Sequence, residues 1–431
     1  MGHSAVKDVY HQVGEKLNEL EVRAPMDQYL YEILKEIFTS REAEIFCKMP
    51  FTLSTAKRIS QITKIEEEEL KIILNEMSSK GLVLDLFVNG EIQYSPSPMV
   101  IGIFEFSMMR TGKDVNSKHL ARLFHHYLQD GAFYTANYKS GEKLSPLRTM
   151  PYEDAVYNGQ YTEVLDYEKA YAVVDKSTKF AIGLCSCRHE KYHTEEKKCD
   201  IKLETCSTFD LAADSLIRKG LAKEVAKKDA ITNLEYSHDN GLVILADNVK
   251  KNIFFMCHCC SCCCNALAGL SQFGYPNAVV TSNYIASINE EECIACGNCV
   301  ETCPINAIKM VDNNGEDKPQ IDKEFCLGCG VCSSQCTNNA LQLVTREKRV
   351  LHPENTFERI ILQCLEKGTL QNQLFDDQSK ISMRFMSGLV GGFLRLSPIK
   401  KALMSDLMRS RFLSVMQAGI KMQGKGWLLE L

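Results

Sequence analysis

The apolar positions of this chain change period several times, and each change marks an element. Leu30, Ile33, Leu34 and Ile37 recur at i, i+3, i+4 and i+7, which puts them on one helix face. A short second helix is expected over 55–61. Thr63 with Glu66 three residues on reads as a capping box for a third helix. Leu70, Ile73, Leu74 and Met77 form its apolar stripe, and Lys80-Gly81 ends it. The run LVLDLFV, then Asn89-Gly90, then EIQY predicts a hairpin closed by a type I′ turn. Further along, a helix is expected over 116–129, followed by a loop-like stretch to 160. Strands are expected over 180–184, 242–245 and 253–256, and helices over 210–219 and 354–367.

These elements predict an α+β multidomain chain. A segment at 1–25 precedes a winged-helix-like domain at 26–110 and a helical connector at 111–165. A Cys-rich α+β middle domain follows at 166–280, then a small module at 281–345 and a basic helical tail at 346–431. Winged helices often place their third helix in the major groove of DNA. Here that helix would begin Glu66-Glu67-Glu68-Glu69. Four carboxylates beside a phosphate backbone are repelled, so DNA is not the expected partner and a packing or docking role is.

Composition then narrows the class. Hydrophobic residues make up 45% and charged residues 24%, so a packed core is expected. The formal net charge of −5 gives no sign of general nucleic-acid binding. The chain has 20 cysteines, and only Cys47 and Cys364 lie outside the stretch from Cys185 to Cys336. The start MGHSAVKDVYHQVGEKL has no apolar signal region, and Val6 stands where a myristoylation signal needs Ser or Thr. The expectation is a cytoplasmic chain whose reduced cysteines serve metal or redox chemistry. No apolar run is long enough to span a membrane. From Lys380 onward, Lys and Arg far outnumber the two acidic residues Asp406 and Glu430. Met404, Met408, Phe412, Val415 and Met416 form an apolar stripe among them. Such a tail can touch a membrane surface or an acidic partner, or pack on its own body.

Two cysteine quartets repeat with one spacing. Cys293, Cys296, Cys299 and Cys303 run C-x2-C-x2-C-x3-C and are followed by Pro304. Cys326, Cys329, Cys332 and Cys336 repeat it, followed by Thr337. Gly297, Gly328 and Gly330 let the backbone turn tightly enough for three thiolates to converge. This is the run of two-cluster ferredoxins, in which the fourth cysteine serves the other cluster. Cys293, Cys296, Cys299 and Cys336 are therefore assigned to one [4Fe–4S] cluster. Cys326, Cys329, Cys332 and Cys303 are assigned to a second. Structural zinc is the alternative, but zinc favours separated C-x2-C pairs. Over 281–345 the chain resembles the bacterial dicluster ferredoxin family, and Ala307-Ile308 and Ala340-Leu341 follow the quartets as they do there. The resemblance implies one-electron transfer at low potential between the clusters. Thr337 departs from the usual proline, which implies a small change in the second loop.

Ten cysteines remain. Cys185, Cys187, Cys199 and Cys206 form C-x-C-x11-C-x6-C, while Cys257, Cys259, Cys260, Cys262, Cys263 and Cys264 are packed together. A strand continuing through Cys185 and Cys187 would put both on one face. These segments are expected to converge on one or two additional iron–sulfur clusters, the earlier four holding one cube and some of the later six another. Adjacent cysteines diverge, so some of the ten are spare, structural or open to substrate. Buried thiols plus a zinc site are the alternative. His189, His193 and His258 are nearby candidates for ligation or proton transfer, and Arg188 for thiol activation. Surface or core hydrogen bonding explains them equally well.

Taken whole, the chain resembles multi-cluster 4Fe–4S ferredoxin-domain proteins of anaerobic prokaryotes. That resemblance rests on the winged-helix-like start, Cys185-Ser186-Cys187-Arg188, the dense run at 257–264 and the quartets at 293–336. It implies electron transfer to a partner oxidoreductase. A reductase with its active site near Cys257 to Cys264 and a redox-sensing winged-helix regulator are the alternatives. Arg110-Thr111-Gly112-Lys113 is no phosphate loop, and no G-x-G-x-x-G follows a strand.

Overall fold

In the computed structural model, residues 8–112, 115–157, 164–313, 316–375, 377, 380–422 and 424–431 are described. Val6, Lys113 and the end of the loop-like stretch at 158–160 lie outside them. The N-terminal part holds helices Gln28–Ile37, Ser40–Lys48, Ala56–Thr63 and Glu67–Ser79, the second of which the sequence reading lacks, and a small sheet in the order β1-β3-β2. Its strands are β1 (Ser54–Thr55), β2 (Val83–Val88) and β3 (Glu91–Pro96). Leu30, Ile33, Leu34, Leu70 and Leu74 are fully buried together, and each such side chain contributes about 1.5–3 kcal/mol. Asn89 and Gly90 both take positive φ, as a type I′ turn requires. The capping box expected at Thr63 does not form. Thr63 closes the preceding helix, with its hydroxyl on the Ile59 carbonyl at 2.9 Å, and Lys64 turns left-handed. Glu66 is itself the cap, its carboxylate accepting from the Glu68 and Glu69 N–H groups.

The hairpin is committed to its own chain. Asp85 on β2 is buried and accepts from the Ser215 hydroxyl at 2.7 Å, with Arg218 and Lys219 completing the pair. Helix Asp210–Arg218, which carries Ser215, rests in turn on the central sheet. That sheet is antiparallel and six-stranded, in the order β4-β8-β9-β6-β5-β7. Its strands are β4 (Leu147–Met150), β5 (Phe180–Leu184), β6 (Glu204–Phe209), β7 (Ala222–Glu224), β8 (Val243–Asp247) and β9 (Phe255–Cys259).

Two expectations change here. The stretch read as loop-like after Gln129 holds helix Ala132–Tyr138 and β4, whose four residues are all buried and give no period-two signal. The strand at 180–184 also stops at Leu184. Register slips between Gly183 and Leu184, and Cys185 caps helix Ser186–His193. Cys185 and Cys187 thus belong to the start of a helix, and strand alternation does not align them.

The last sheet pairs are β10 (Tyr284–Ile288) with β13 (Leu341–Thr345) and β11 (Ile308–Asn313) with β12 (Glu316–Ile321). Their core is continuous with the central sheet through Val243, Leu245, Tyr284 and Leu343. Helix Thr356–Lys367 follows, closed by Gly368 at positive φ. Helices Ile381–Leu394, Ser397–Met404 and Asp406–Met422 complete the chain. The expected tail stripe divides. Met416 packs beneath Ile361 and Leu365, while Val415 and Met408 face outward. Among the described residues, no helix is long and apolar enough to cross a membrane.

Candidate functional site

The two loops at 293–303 and 326–336 share one backbone path. Ala295 and Gly328 take positive φ, as do Gly297 and Gly330, and Asn306 and Asn339. Gly297 and Gly330 each start a short helix, Asn298–Thr302 and Val331–Ser334, that carries the third cysteine. Gly328 is obligatory, because a Cβ there would lie 2.0 Å from the Tyr284 carbonyl oxygen. The matching position of the first loop accepts Ala295.

The loops exchange their last cysteines. Cys299 has Cys293, Cys296 and Cys336 as its sulfur neighbours, and these four border a cavity of about 20 Å³. Cys332 has Cys329, Cys326 and Cys303 around it, then Cys299 of the first group. Burial pushes the Cys329 thiol up to about 12 and Cys332 up as well. A buried thiolate needs a positive partner, and coordinated metal supplies one. Eight thiols in two crosswise fours fit iron–sulfur ligation.

The groups differ in exposure. Cys296 is exposed, whereas Cys326, Cys329 and Cys332 are buried. Tyr152 gives its backbone N–H to the Cys329 carbonyl at 2.9 Å. The Ser282 hydroxyl donates to the Gly328 carbonyl at 2.8 Å, and Arg346 donates to the Cys326 carbonyl at 2.6 Å. The second loop is thereby fixed to the body and the first faces outward.

The other ten cysteines regroup. Cys199 leaves the company of Cys185, Cys187 and Cys206 and meets Cys260, Cys262 and Cys263, all four sulfurs lying within 4.8 Å of one another. The other six form an arc. Thiol contacts join Cys187 to Cys264, Cys264 to Cys259, Cys259 to Cys257 and Cys257 to Cys206. Cys185 lies beside Cys257 and Cys264. The division expected by sequence order, earlier four against later six, is therefore wrong. On β9, alternation sends Cys257 and Cys259 to the arc face and His258 to the opposite face. In the turn that follows, Cys260 and Cys263 stand three residues apart on one side, and Cys264 caps helix Asn265–Ser271 on the other.

Cys257 and Cys264 are drawn below the usual thiol range, Cys257 by hydrogen bonds from Cys206 and Cys259, Cys264 by those from Cys187 and Cys259. Arg188 is fully buried between the two groups. Its guanidinium donates to the carbonyls of Lys202 and His258 and to the Thr205 hydroxyl. Burial favours its neutral form, and the sulfurs of Cys185 and Cys260 hold it charged. His258 bonds Ser237 at 2.6 Å and Ser207 at 3.0 Å, and burial lowers it to about 3. Both ring nitrogens are thus occupied, so His258 stays neutral and serves the core. His189 and His193 bond each other at 3.0 Å, and the other ring nitrogen of His189 bonds the Met108 carbonyl at 2.6 Å.

The six-sulfur arc borders an apolar cavity of about 320 Å³, lined also by Phe104, Phe133, Tyr134 and Phe255. Glu105 faces it, and burial raises its carboxyl to about 8, with Cys257 adding to the shift. Nothing in the local sequence FEFSMM marked Glu105. Buried Glu190 accepts from Asn265, next to Cys264, at 2.8 Å and so ties the cysteine turn to helix Ser186–His193.

Residues 292–340 match the family of 4Fe-4S dicluster domains. No curated protein and no solved structure matches the chain. The domain match and the clustered thiols together make this an iron–sulfur protein with a ferredoxin-type domain, suited to electron transfer.

Proposed function

We propose that the protein passes low-potential electrons from the exposed loop at 293–303, through the buried loop at 326–336, into its cysteine-rich body and on to a partner oxidoreductase. Bound [4Fe–4S] clusters supply reversible one-electron storage. The chain's own residues supply thiols, burial and hydrogen bonds. The carrying observation is the crosswise grouping, with Cys303 among Cys326, Cys329 and Cys332. The gradient of exposure supports the direction, because an outer site can meet a donor while an inner one is insulated from water. Tyr152 supports continuity. It bonds Cys329 on one side and the Leu242 carbonyl at 2.5 Å on the other, and so holds the buried loop against the cysteine-rich body. Iron and sulfide quantitation with spin resonance during an anaerobic reductive titration tests this reading. Two interacting clusters per ferredoxin domain support it, and a domain holding only zinc overturns it.

The six-sulfur arc favours a second reading, a reductase. Its thiols face an apolar space large enough for a small substrate, and a carboxyl sits beside them. A substrate-dependent spectral change in the reduced protein supports catalysis there. We read 26–110 as a winged-helix-like docking unit, because its hairpin is bound to helix Asp210–Arg218 and its helix Glu67–Ser79 opens with Glu67, Glu68 and Glu69. Peripheral attachment to an anionic membrane is proposed for the tail. Ile381, Phe385, Leu389 and Phe393 recur every four residues and are 54–77% exposed, with Arg384 and Arg395 close in sequence.

A further inference from the structure

The four sulfurs of Cys199, Cys260, Cys262 and Cys263 have a spacing of their own. Cys199 stands 3.6 Å from Cys260 and 3.9 Å from Cys263. Cys262 stands 3.9 Å from Cys260 and 3.5 Å from Cys263. Among the described residues this is the one group of three or more donors so tightly gathered. Four thiolates around one ion at a metal–sulfur distance of about 2.3 Å form a tetrahedron with edges of about 3.8 Å. These four distances bracket that value. Thiolates on an iron–sulfur cube stand farther apart, because each leaves a different iron and the cube's own sulfides lie between. Among the described residues, neither the arc of six nor the ferredoxin fours contains three sulfurs so tightly gathered.

We propose that Cys199, Cys260, Cys262 and Cys263 hold a single tetrahedral zinc ion, a closed site separate from the iron–sulfur centres. The chemistry of the donors agrees. Four soft thiolates fill every position around zinc and leave none for substrate or water. Zinc has no redox change, so the site acts as a clasp. It joins the irregular segment between helix Ser186–His193 and β6 to the cysteine turn after β9. That segment otherwise brings only Ile201 into the small apolar cluster with Leu242. Zinc with four thiolates carries a net charge of −2, and the Arg188 guanidinium lies against Cys260 to offset it. The proposal does not depend on the electron-transfer reading, since the ferredoxin loops contribute none of these ligands.

The test uses the full chain purified anaerobically. One zinc per chain is expected beside the iron. Absorption at the zinc edge should show sulfur neighbours at about 2.3 Å and no metal neighbour. Cys199→Ser should lower zinc content several-fold while the iron content and the ferredoxin signals stay as they were. Loss of about four irons in Cys199→Ser would show a cube and overturn the proposal. Loss of one iron, or zinc content unchanged by the substitution, would equally overturn it. Should the variant not fold, cobalt incorporated during expression of the unaltered chain decides. An intense tetrahedral tetrathiolate spectrum is expected, and its absence counts against the site.

Discussion

Tyr152 hydrogen-bonds the backbone of Cys329 and, through its hydroxyl, the carbonyl of Leu242, so one side chain links the buried ferredoxin loop to the cysteine-rich body. Tyr152→Phe keeps the ring and the N–H bond and leaves the Leu242 carbonyl short of a donor. The expected cost is about 1–3 kcal/mol. It should appear as a lower urea midpoint for loss of cluster absorbance, with iron content in the absence of urea unchanged.

Crosswise ligation gives each loop's fourth cysteine an effect on the other loop's centre. Cys303→Ser should remove about four irons per chain and spare the centre at Cys293, Cys296 and Cys299. Gly328→Ala should do the same, because its new Cβ collides with the Tyr284 carbonyl and its φ is left-handed. Spin-resonance signals of the remaining centre report which loop survived. Loss of the Cys293 centre in Cys303→Ser would refute the exchange.

Arg188 should be intolerant even of lysine. Its fork serves the Lys202 and His258 carbonyls and Thr205 while its charge faces the sulfurs. Lysine keeps the charge and loses the fork. Loss of an outer partner of metal ligands weakens retention by about 10–100-fold. A competition assay with a chelator should place Arg188→Lys in that range, and Arg188→Gln should be worse.

Stability should fall in mild acid through His352. This residue is buried against Asn248, and burial lowers it to about 3, with Arg148 and Lys250 adding to the shift. The unfolded chain takes a proton near pH 6.5 that the folded chain refuses, so the stability present above that pH declines as the pH drops. At pH 5.5 the loss should be about 1.4 kcal/mol. Comparing denaturation at pH 7.5 and 5.5 in the parent and in His352→Gln checks this. The variant should show the shallower dependence.

Binding of the tail to vesicles should need both apolar and basic residues. The protein should sediment with vesicles rich in anionic lipid and remain free of neutral ones. Phe385→Glu with Leu389→Glu should abolish that binding. Arg384→Glu should weaken it by more than about 1 kcal/mol, since it replaces an attraction by a repulsion. Failure to bind anionic vesicles, with retention on an acidic protein partner, would reassign this surface.

Local patterning carried much of the fold. The stripe from Leu30 to Ile37, the Asn89-Gly90 turn and the Gly368 stop depend on neighbours in sequence, and the structure contains each. The helix starts at Glu66 without the capping box that Thr63 suggests, because Thr63 satisfies its hydroxyl backward, on Ile59. β4 leaves no mark in the sequence, because a strand buried on both faces has no alternation. Glu105 and Tyr152 were invisible for another reason: each gains its role only from contact with residues distant in sequence.

The sequence by itself determined the ferredoxin domain, because its cysteine spacings and glycines act within single loops and are written out twice. It determined also that adjacent cysteines such as Cys259 and Cys260 must part. Only the tertiary structure decided where each one went. Cys199 lies on an irregular segment far from the turn it joins, and the partition into four tight sulfurs and six spread ones follows from how that segment closes over Cys260 and Cys263. Spacing along a chain fixes direction over a few residues, and meeting across the fold depends on packing that no local pattern encodes.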